Sequence, residues 1–144
     1  MREGENMGKY GWFPDLPDHR DYGFSSAVPI LTQVDLRPQC PPVYDQGQLG
    51  SCTANPIAAA LQFDEMRAQQ PDAASIPSRL CIYYDERAME GTIKTDSGAA
   101  IRDGIKSVNK IGACLESMWP YVIAKFAKKP PAKCYSAAKF CEAL

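Results

Sequence analysis

One ten-residue segment, Asp45-Gln46-Gly47-Gln48-Leu49-Gly50-Ser51-Cys52-Thr53-Ala54, contains the residue types that nucleophilic thiol chemistry requires. Its two glycines allow a tight loop whose backbone can approach a ligand closely. Cys52 falls on the first turn of a predicted helix, where free amides and the helix dipole favour a thiolate and lower the cysteine pKa to about 7. The backbone amide of Cys52 and the side-chain amide of Gln46 can both donate to an oxyanion. The segment predicts Cys52 as a nucleophile and Gln46 as an oxyanion donor; the alternative is a buried cysteine after an ordinary glycine turn.

The helix that must carry this loop is predicted over residues 51–69, with Ser51 as its N-cap. Pro56 is compatible only with the first turn of such a helix. Because the helix is rich in alanine, it is thin, and other segments can pack closely around it. We therefore expect an N-capped helix at the centre of the fold.

Two further helices are predicted downstream. One begins at Ser75 or Ser78 and ends near Glu90, and the other covers about residues 99–111. Both are followed by a glycine that can stop a helix, Gly91 and Gly112. In the second of them, the apolar residues at helical spacing are expected to face the core: Ile101, Ile105, Val108 and Ile111.

The composition divides the chain into three parts. Residues 1–33 are rich in proline, glycine and aspartate, and they are expected to form an extended N-terminal arm. Residues 34–124 contain the Cys52 loop and the predicted helices, which together form a helical half-domain. Residues 125–144 are rich in lysine and contain Pro130 and Pro131, which predicts a polar linker or tail.

Charge and cysteine usage restrict the classes of function. The formal net charge is −1, so no global field attracts nucleic acid or a membrane, and no apolar run approaches the roughly 20 residues of a membrane span. The six cysteines form no CxxC pair and His19 is the only histidine, so we expect neither a metal nor a cofactor. The N-terminus lacks the apolar stretch of a secretory signal, and a cytoplasmic location with several buried thiols is expected.

The Gln46–Cys52 segment resembles the active-site loop of papain-like (C1) cysteine peptidases, whose Gln-Gly-x-x-Gly-Ser-Cys pattern it matches at every fixed position. Segments Asp96–Gly98 and Trp119–Tyr121 are similar to downstream parts of this family, and Trp12–Asp18 is similar to an arm that precedes its bacterial members. The resemblance implies an α+β papain-like fold, of which this chain supplies mainly the α-helical half. It also implies an endopeptidase scaffold that hydrolyses peptide bonds with Cys52 as nucleophile and Gln46 in the oxyanion hole. The residues that it places near substrate are Gly50, Ser51, Ser97 and Gly98.

The sequence departs from the family pattern in the loop and at its end. Leu49 stands where many members have a cysteine, and Thr53 stands where they have an aromatic residue. The general-base histidine and its orienting asparagine follow the nucleophile by roughly 130–150 residues in this family, whereas this sequence ends at Leu144. His19 precedes the nucleophile, and we expect it on the surface of the arm.

These departures predict a peptidase scaffold that is weakly active or inactive by itself. Its tail would lead toward an absent β-rich half that carries the base. The expected partners are a peptide or protein substrate and a second chain or second copy that covers the exposed domain junction. Two alternatives stay open: a non-catalytic peptide-binding or assembly module, and a truncated gene product.

Overall fold

The structure, a computed structural model, describes residues 12–23, 25, 27–29, 31–69 and 74–138. The helices within them are α1 (Ala54–Arg67), α2 (Arg79–Glu90), α3 (Ile101–Ile111), the short α4 (Ala132–Ser136) and two 3-10 helices, Arg37–Gln39 and Ile123–Lys125. In the same residues, β structure consists of isolated bridges, among them Trp12 with Ala99 and Pro77 with Leu115. The three predicted helices are confirmed, and the described chain is mainly helical.

α2 is the most deeply buried helix of the described chain. All of its residues from Arg79 to Arg87 are buried, whereas α1 buries only four residues. α1 and α3 both pack against α2, which presents Leu80, Ile82 and Tyr83 to the core. The expectation that α1 is the central helix is therefore wrong for these residues, because an alanine-rich helix offers little apolar area to bury.

The ends of α2 and α3 form as the sequence predicts. The Ser78 hydroxyl is the N-cap of α2 and accepts a hydrogen bond of 3.2 Å from the Cys81 amide. Gly91 ends α2 with a φ of 76°, a left-handed conformation that a residue with a Cβ rarely adopts. Gly112 ends α3 with a φ of 80°. Glycine is therefore required at both stops.

The start of α1 differs from the prediction. Its N-cap residue is Thr53, and no side chain makes a capping hydrogen bond. Ser51 does not cap the helix, because its hydroxyl is bonded to that of Tyr121 at 2.5 Å. Pro56 lies in the first turn, as expected.

The packed face of α3 is not the one that its isoleucines predict. Val108 is buried, but Ile101 and Ile105 are exposed, and the other buried positions are Gly104 and Ser107. Small residues allow α3 to approach α2 closely, which leaves the large isoleucines at the edge of that contact. The prediction that Ile101 and Ile105 face the core is therefore wrong.

The described part of the arm lies along the start of α3. Trp12 pairs with Ala99 in a parallel bridge, and the Asp15 carboxylate accepts a 3.2 Å hydrogen bond from the Arg102 amide. The Arg102 guanidinium also forms an ion pair with Asp21, with 2.7 Å between Nη2 and Oδ2. Residues 1–11 of the predicted arm and 139–144 of the predicted tail lie outside the described residues.

The thiols of the described chain differ in exposure. Cys40 is exposed and Cys52 is half-buried, while the other three are buried, which confirms the expectation of several buried cysteines: Cys81, Cys114 and Cys134. Cys141 lies outside the described residues.

Among the residues described, no group of three or more potential ligands has the arrangement of a metal site, and no helix is long and apolar enough to cross a membrane.

We predict that Gly104→Ala destabilises the fold, although alanine favours a helix by about 1 kcal/mol over glycine. A Cβ at this position would lie 2.5 Å from both Glu86 Oε2 and Ile57 Cδ1, so either these two side chains or α3 itself would have to shift within the packed core. Overpacking of this kind costs about 1–3 kcal/mol, which urea unfolding would measure. Asn109→Ala, at an exposed position of the same helix, is the matched control and should not destabilise. Equal or higher stability of Gly104→Ala would contradict this account of the helix contact.

Candidate active site

The loop that precedes α1 is held in shape by its own hydrogen bonds. Gly47 has a φ of 61°, and its amide donates to Asp45 Oδ1 at 2.8 Å. Gln46 Nε2 donates to the Leu49 carbonyl at 2.9 Å. A side-chain amide carries two N–H groups, so this bond orients the amide and uses one of them. The predicted oxyanion donor is therefore fixed within the loop.

Cys52 lies at the start of the helix, as predicted. The Asn55 amide donates to the Ser51 carbonyl at 3.2 Å, which places Cys52 inside a helical turn just before Ala54. The Cys52 side chain is half-buried. Its amide thus belongs to the first turn of a helix, where backbone N–H groups are available to an anion. The position is as predicted, and the nucleophilic role stays a prediction.

A carboxylate joins the Cys52 loop to a second loop. Both oxygens of Asp96 accept hydrogen bonds of 3.0 Å from the Gly50 amide, and Asp96 also accepts one from the Tyr83 hydroxyl. The same hydroxyl accepts a 3.2 Å bond from the Gly98 amide, and the Ser97 hydroxyl donates to the Gly98 carbonyl at 3.1 Å. The structure thereby brings together three of the residues predicted to bind substrate. Their binding role stays a prediction.

The other side of the loop is closed by a chain of hydroxyl groups. The fully buried Ser51 is bonded to the Tyr121 hydroxyl, which in turn donates to the Gln46 carbonyl at 2.9 Å. Asn55 Nδ2 donates to both the carbonyl and the hydroxyl of Ser51, at 2.8 and 3.0 Å. The side chain of Ser51 therefore lies inside the loop and contributes to its shape.

Arg79 supports the loop from the core. Its guanidinium forms two bonds to the Glu116 carboxylate, at 2.9 and 2.7 Å. It also donates to the Asp45 carbonyl at 3.0 Å and to Asn55 Oδ1 at 3.2 Å. Tyr121 stacks on it, with 4.1 Å between the guanidinium carbon and the ring centre. A rigid cation thus links the beginning of the loop to the first turn of α1.

The electrostatic surroundings of Cys52 oppose its ionisation. Burial raises the pKa of the Cys52 thiol above its usual value, and the nearby Glu86 carboxylate raises it further. Only the backbone hydrogen bond of Cys52 itself acts in the opposite direction. A helix N-terminus favours an anion by at most about 2 kcal/mol, and desolvation outweighs it here. The expected pKa near 7 is therefore wrong for this chain by itself.

Glu86 is a buried acid directly behind the Cys52 loop. Its Oε1 accepts a 2.7 Å hydrogen bond from the hydroxyl of Thr53, the residue after Cys52, while Oε2 has no hydrogen-bond partner. Burial raises the pKa of Glu86 to about 8, with a smaller contribution from the carboxylate of Glu90. At neutral pH this group is therefore mostly protonated, and its charge appears only in alkaline solution.

Sequence reasoning missed the residues behind the loop, above all Arg79 and Glu86. One signal was available in α2, where large apolar residues occupy neighbouring positions from Leu80 to Tyr84 and therefore surround the helix. A helix that is apolar on all sides is buried, so its charged residues had to be buried and paired too. Tyr121 and Asp96 lie in segments that the sequence marked, but their contacts with the loop could not be foreseen.

Comparisons with known proteins agree with this geometry. The chain is 47% identical over 114 residues to an uncharacterised peptidase C1-like protein of Acanthamoeba polyphaga mimivirus, covering 79% of this chain and 36% of that protein. It is also similar to the crystal structure of xylellain, a cysteine protease from Xylella fastidiosa, with a TM-score of 0.81 and 43% identity. That match covers 90% of this chain and 54% of xylellain. No protein-family model matches the sequence.

These likenesses show that the chain belongs to the papain-like (C1) cysteine peptidases. The described helices form part of a papain-like fold. The chain spans only about half of xylellain and about a third of the viral protein, so the activity of a whole peptidase does not transfer to it directly.

We predict that Glu86→Gln reduces the loss of stability at alkaline pH. The folded-state pKa of Glu86, about 8, lies above its ordinary value of 4.5. Between these two pH values the folded protein keeps a proton that the unfolded chain has lost. Stability therefore falls as pH rises through this window, by a few kcal/mol for a shift of this size. Glutamine cannot titrate, so the variant should lose less stability between pH 5 and pH 8.5 in urea unfolding. Glu90→Gln is the control and should retain most of the wild-type pH dependence; identical curves for wild type and Glu86→Gln would refute the assignment.

Proposed function

We propose that this chain carries the nucleophile part of a papain-like cysteine endopeptidase. The observation that supports it is the Gln46–Cys52 loop, which matches the family pattern at every fixed position and sits at the start of α1. The Asp96 carboxylate and the Tyr121 hydroxyl hold this loop from two sides. A cysteine at a helix start with an oriented amide beside it suits attack on a carbonyl carbon.

In the proposed reaction, the Cys52 thiolate attacks the carbonyl carbon of a peptide bond, and the C=O electron pair moves onto the oxygen. The resulting oxyanion accepts hydrogen bonds from the Cys52 amide and the Gln46 side chain. The C–N bond then breaks as an imidazolium protonates the departing amine, which leaves a thioester on Cys52. Water, deprotonated by the neutral imidazole, hydrolyses the thioester and releases the acid and the thiol.

The proposed substrate groove lies between Gly50 and the Gly98 loop. In the free chain, the Gly98 amide is bonded to Tyr83 and its carbonyl is bonded to the Ser97 hydroxyl. A carbonyl oxygen has two lone pairs, so an extended peptide that pairs with the Gly98 carbonyl would share it with the Ser97 hydroxyl. Gly98 has a φ of 72°, so a larger residue at this position would strain the loop.

We infer that the imidazole comes from outside these 144 residues. The only histidine, His19, is in the arm, where its side chain is 94% exposed and lies 3.8 Å from the Asp18 carboxylate. The raised pKa of Cys52 adds to this inference, because no cation among the described residues lowers the pKa of this thiol. General acid–base help is worth about 10²–10⁴ in rate, so this chain by itself should turn over peptides poorly.

We predict that the purified chain hydrolyses peptide amides little faster than a Cys52→Ala control, yet reacts selectively with a peptidyl chloromethyl ketone at Cys52. A ketone of this kind alkylates the thiol without needing protonation of a leaving amine. Iodoacetamide, which has no peptide to guide it, should label the exposed Cys40 before Cys52. Peptide mapping by mass spectrometry measures both reactions.

Two results would contradict this prediction. Robust hydrolysis by the wild-type chain but not by Cys52→Ala would require a general base within these residues, and His19→Ala would be the next variant. If the peptidyl ketone reacted at Cys40 as fast as at Cys52, this result would contradict the proposed substrate groove beside Cys52. Peptide binding without any reaction at Cys52 would instead favour the non-catalytic binding module.

The outer face of α1 carries the apolar surface that a domain junction needs. A cavity of about 520 Å³ lies between α1 and residues 36–44, and Leu36 and Val43 beside it are 41% and 98% exposed. A second cavity of about 320 Å³ lies between α1 and α3, where Ile57 and Ile105 contribute to its walls. We propose that the β-rich part of a papain-like fold packs on this junction face, which we define as the surface around these two cavities.

We predict that the purified chain associates or aggregates as its concentration rises, because the junction face exposes large apolar side chains. A double variant, Leu36→Ser with Val43→Ser, should shift the association to higher concentration in analytical ultracentrifugation. Leu16→Ser is the control, since this residue is also exposed but lies in the arm. A compact monomer at high concentration would show that the chain covers this face by itself.

A further inference from the structure

Three thiols meet in the interior at a distance from the proposed active site. Cys81 is in the first turn of α2, Cys114 follows the end of α3, and Cys134 is in α4. They are 3%, 1% and 0% exposed, and they pack in one cluster with Met118 and Trp119. We call them the thiol cluster. The proposed peptidase reaction uses none of them.

Cys114 packs with both other thiols in the thiol cluster. The neighbouring thiols, first Cys81 and then Cys134, lower the pKa of Cys114 to about 7 despite its burial. Cys81 also lies 3.5 Å from the Asp85 carboxylate, measured from Sγ to Oδ2. At neutral pH, Cys114 is thus the thiol of the cluster with the largest thiolate fraction, which is the form that reacts with oxidants.

Of the two neighbours of Cys114, Cys134 is on the element that can move. α4 has only five residues, and Cys134 is the only one that it buries. A helix this short has little stability of its own, and α4 is fastened by Cys134 and by a 2.9 Å hydrogen bond from the Tyr135 hydroxyl to Asp85. Cys81, in contrast, belongs to the fully buried part of α2. Because disulfide formation must bring two sulfurs to about 2.05 Å, the partner on the short helix α4 is favoured over the partner inside α2.

We propose that Cys114 and Cys134 form a redox-responsive disulfide that fastens α4 to the helical core. The oxidant is a hydroperoxide. The Cys114 thiolate attacks one peroxide oxygen, the O–O bond breaks, and Cys114 becomes a sulfenic acid while hydroxide or alkoxide leaves. The Cys134 sulfur then attacks the sulfenic sulfur and displaces hydroxide. In sum, two thiols and hydrogen peroxide give one disulfide and two molecules of water.

The bond would close a loop over the segment between α3 and α4. This segment contains Glu116, which pairs with Arg79, and Tyr121, which supports Gln46. Oxidation would therefore restrain residues that position the Cys52 loop, without touching Cys52. Local opening of α4 admits the oxidant to an otherwise buried site.

The experiment treats the full 144-residue chain with hydrogen peroxide near pH 7.5, blocks the remaining thiols with N-ethylmaleimide, and maps tryptic peptides without reduction. Trypsin separates the three thiols, because Cys81, Cys114 and Cys134 fall in residues 80–87, 111–125 and 134–139. We expect a cross-link between 111–125 and 134–139, and a melting temperature raised by about 5 °C or more that a reductant reverses.

Variants separate the proposal from general oxidation. Cys134→Ala should abolish the cross-link and the rise in melting temperature, whereas Cys40→Ser, at an exposed thiol, should retain both. Cys81→Ala should keep the same cross-link but form it more slowly, because Cys114 loses the neighbour that lowers its pKa most. A cross-link from 111–125 to 80–87 would overturn the pairing. Unmodified Cys114 under conditions that fully oxidise Cys40 would overturn the proposal as a whole.

Discussion

The buried guanidinium of Arg87 is the group on which the arrangement of the site depends. It is fully buried and donates to backbone carbonyls from several segments, those of Tyr83, Ile93, Thr95 and Phe126. These bonds fix the segment after α2, and this segment in turn presents Asp96 to the Gly50 amide. A buried cation without a carboxylate partner is costly unless its donors are satisfied. Here, the carbonyls satisfy them, and the core of α2 thereby determines where the Cys52 loop lies.

The contacts around Cys52, the proposed nucleophile, position this residue without activating it. Hydrogen bonds with Asp96, Tyr121 and Arg79 hold the loop, but none of these groups lowers the pKa of Cys52. Burial instead keeps the thiol protonated, and the Glu86 charge adds to this effect once that carboxyl ionises in alkaline solution. A nucleophile that is already in place but neutral gains reactivity only when a base reaches it. This division matches a fold in which the two functions come from different parts of a larger protein.

The sequence was sufficient where a local rule decides the structure. Gly91 marks the end of α2, and Ser75 and Ser78 are the two candidates for its start, because left-handed φ and capping depend on few residues; the structure selects Ser78. The spacing from Gln46 to Cys52 marks the loop. It was insufficient where long-range packing decides. Burial of Arg79, Glu86 and Arg87 reverses the usual preference of charged residues for the surface. In α3, the larger side chains suggested the wrong face, because close helix contact selects small residues.

The contacts of Arg87 have a further consequence for how this chain can diverge. The guanidinium bonds to main-chain carbonyls of Ile93 and Thr95, and every amino acid supplies such a carbonyl. The side chains of this segment can therefore change without loss of the anchor. Since the segment continues into Asp96–Gly98 beside the proposed groove, substitutions between α2 and Asp96 could alter peptide preference while the loop keeps its position. The main-chain carbonyls of this segment hold its position through Arg87, while its side chains are free to differ.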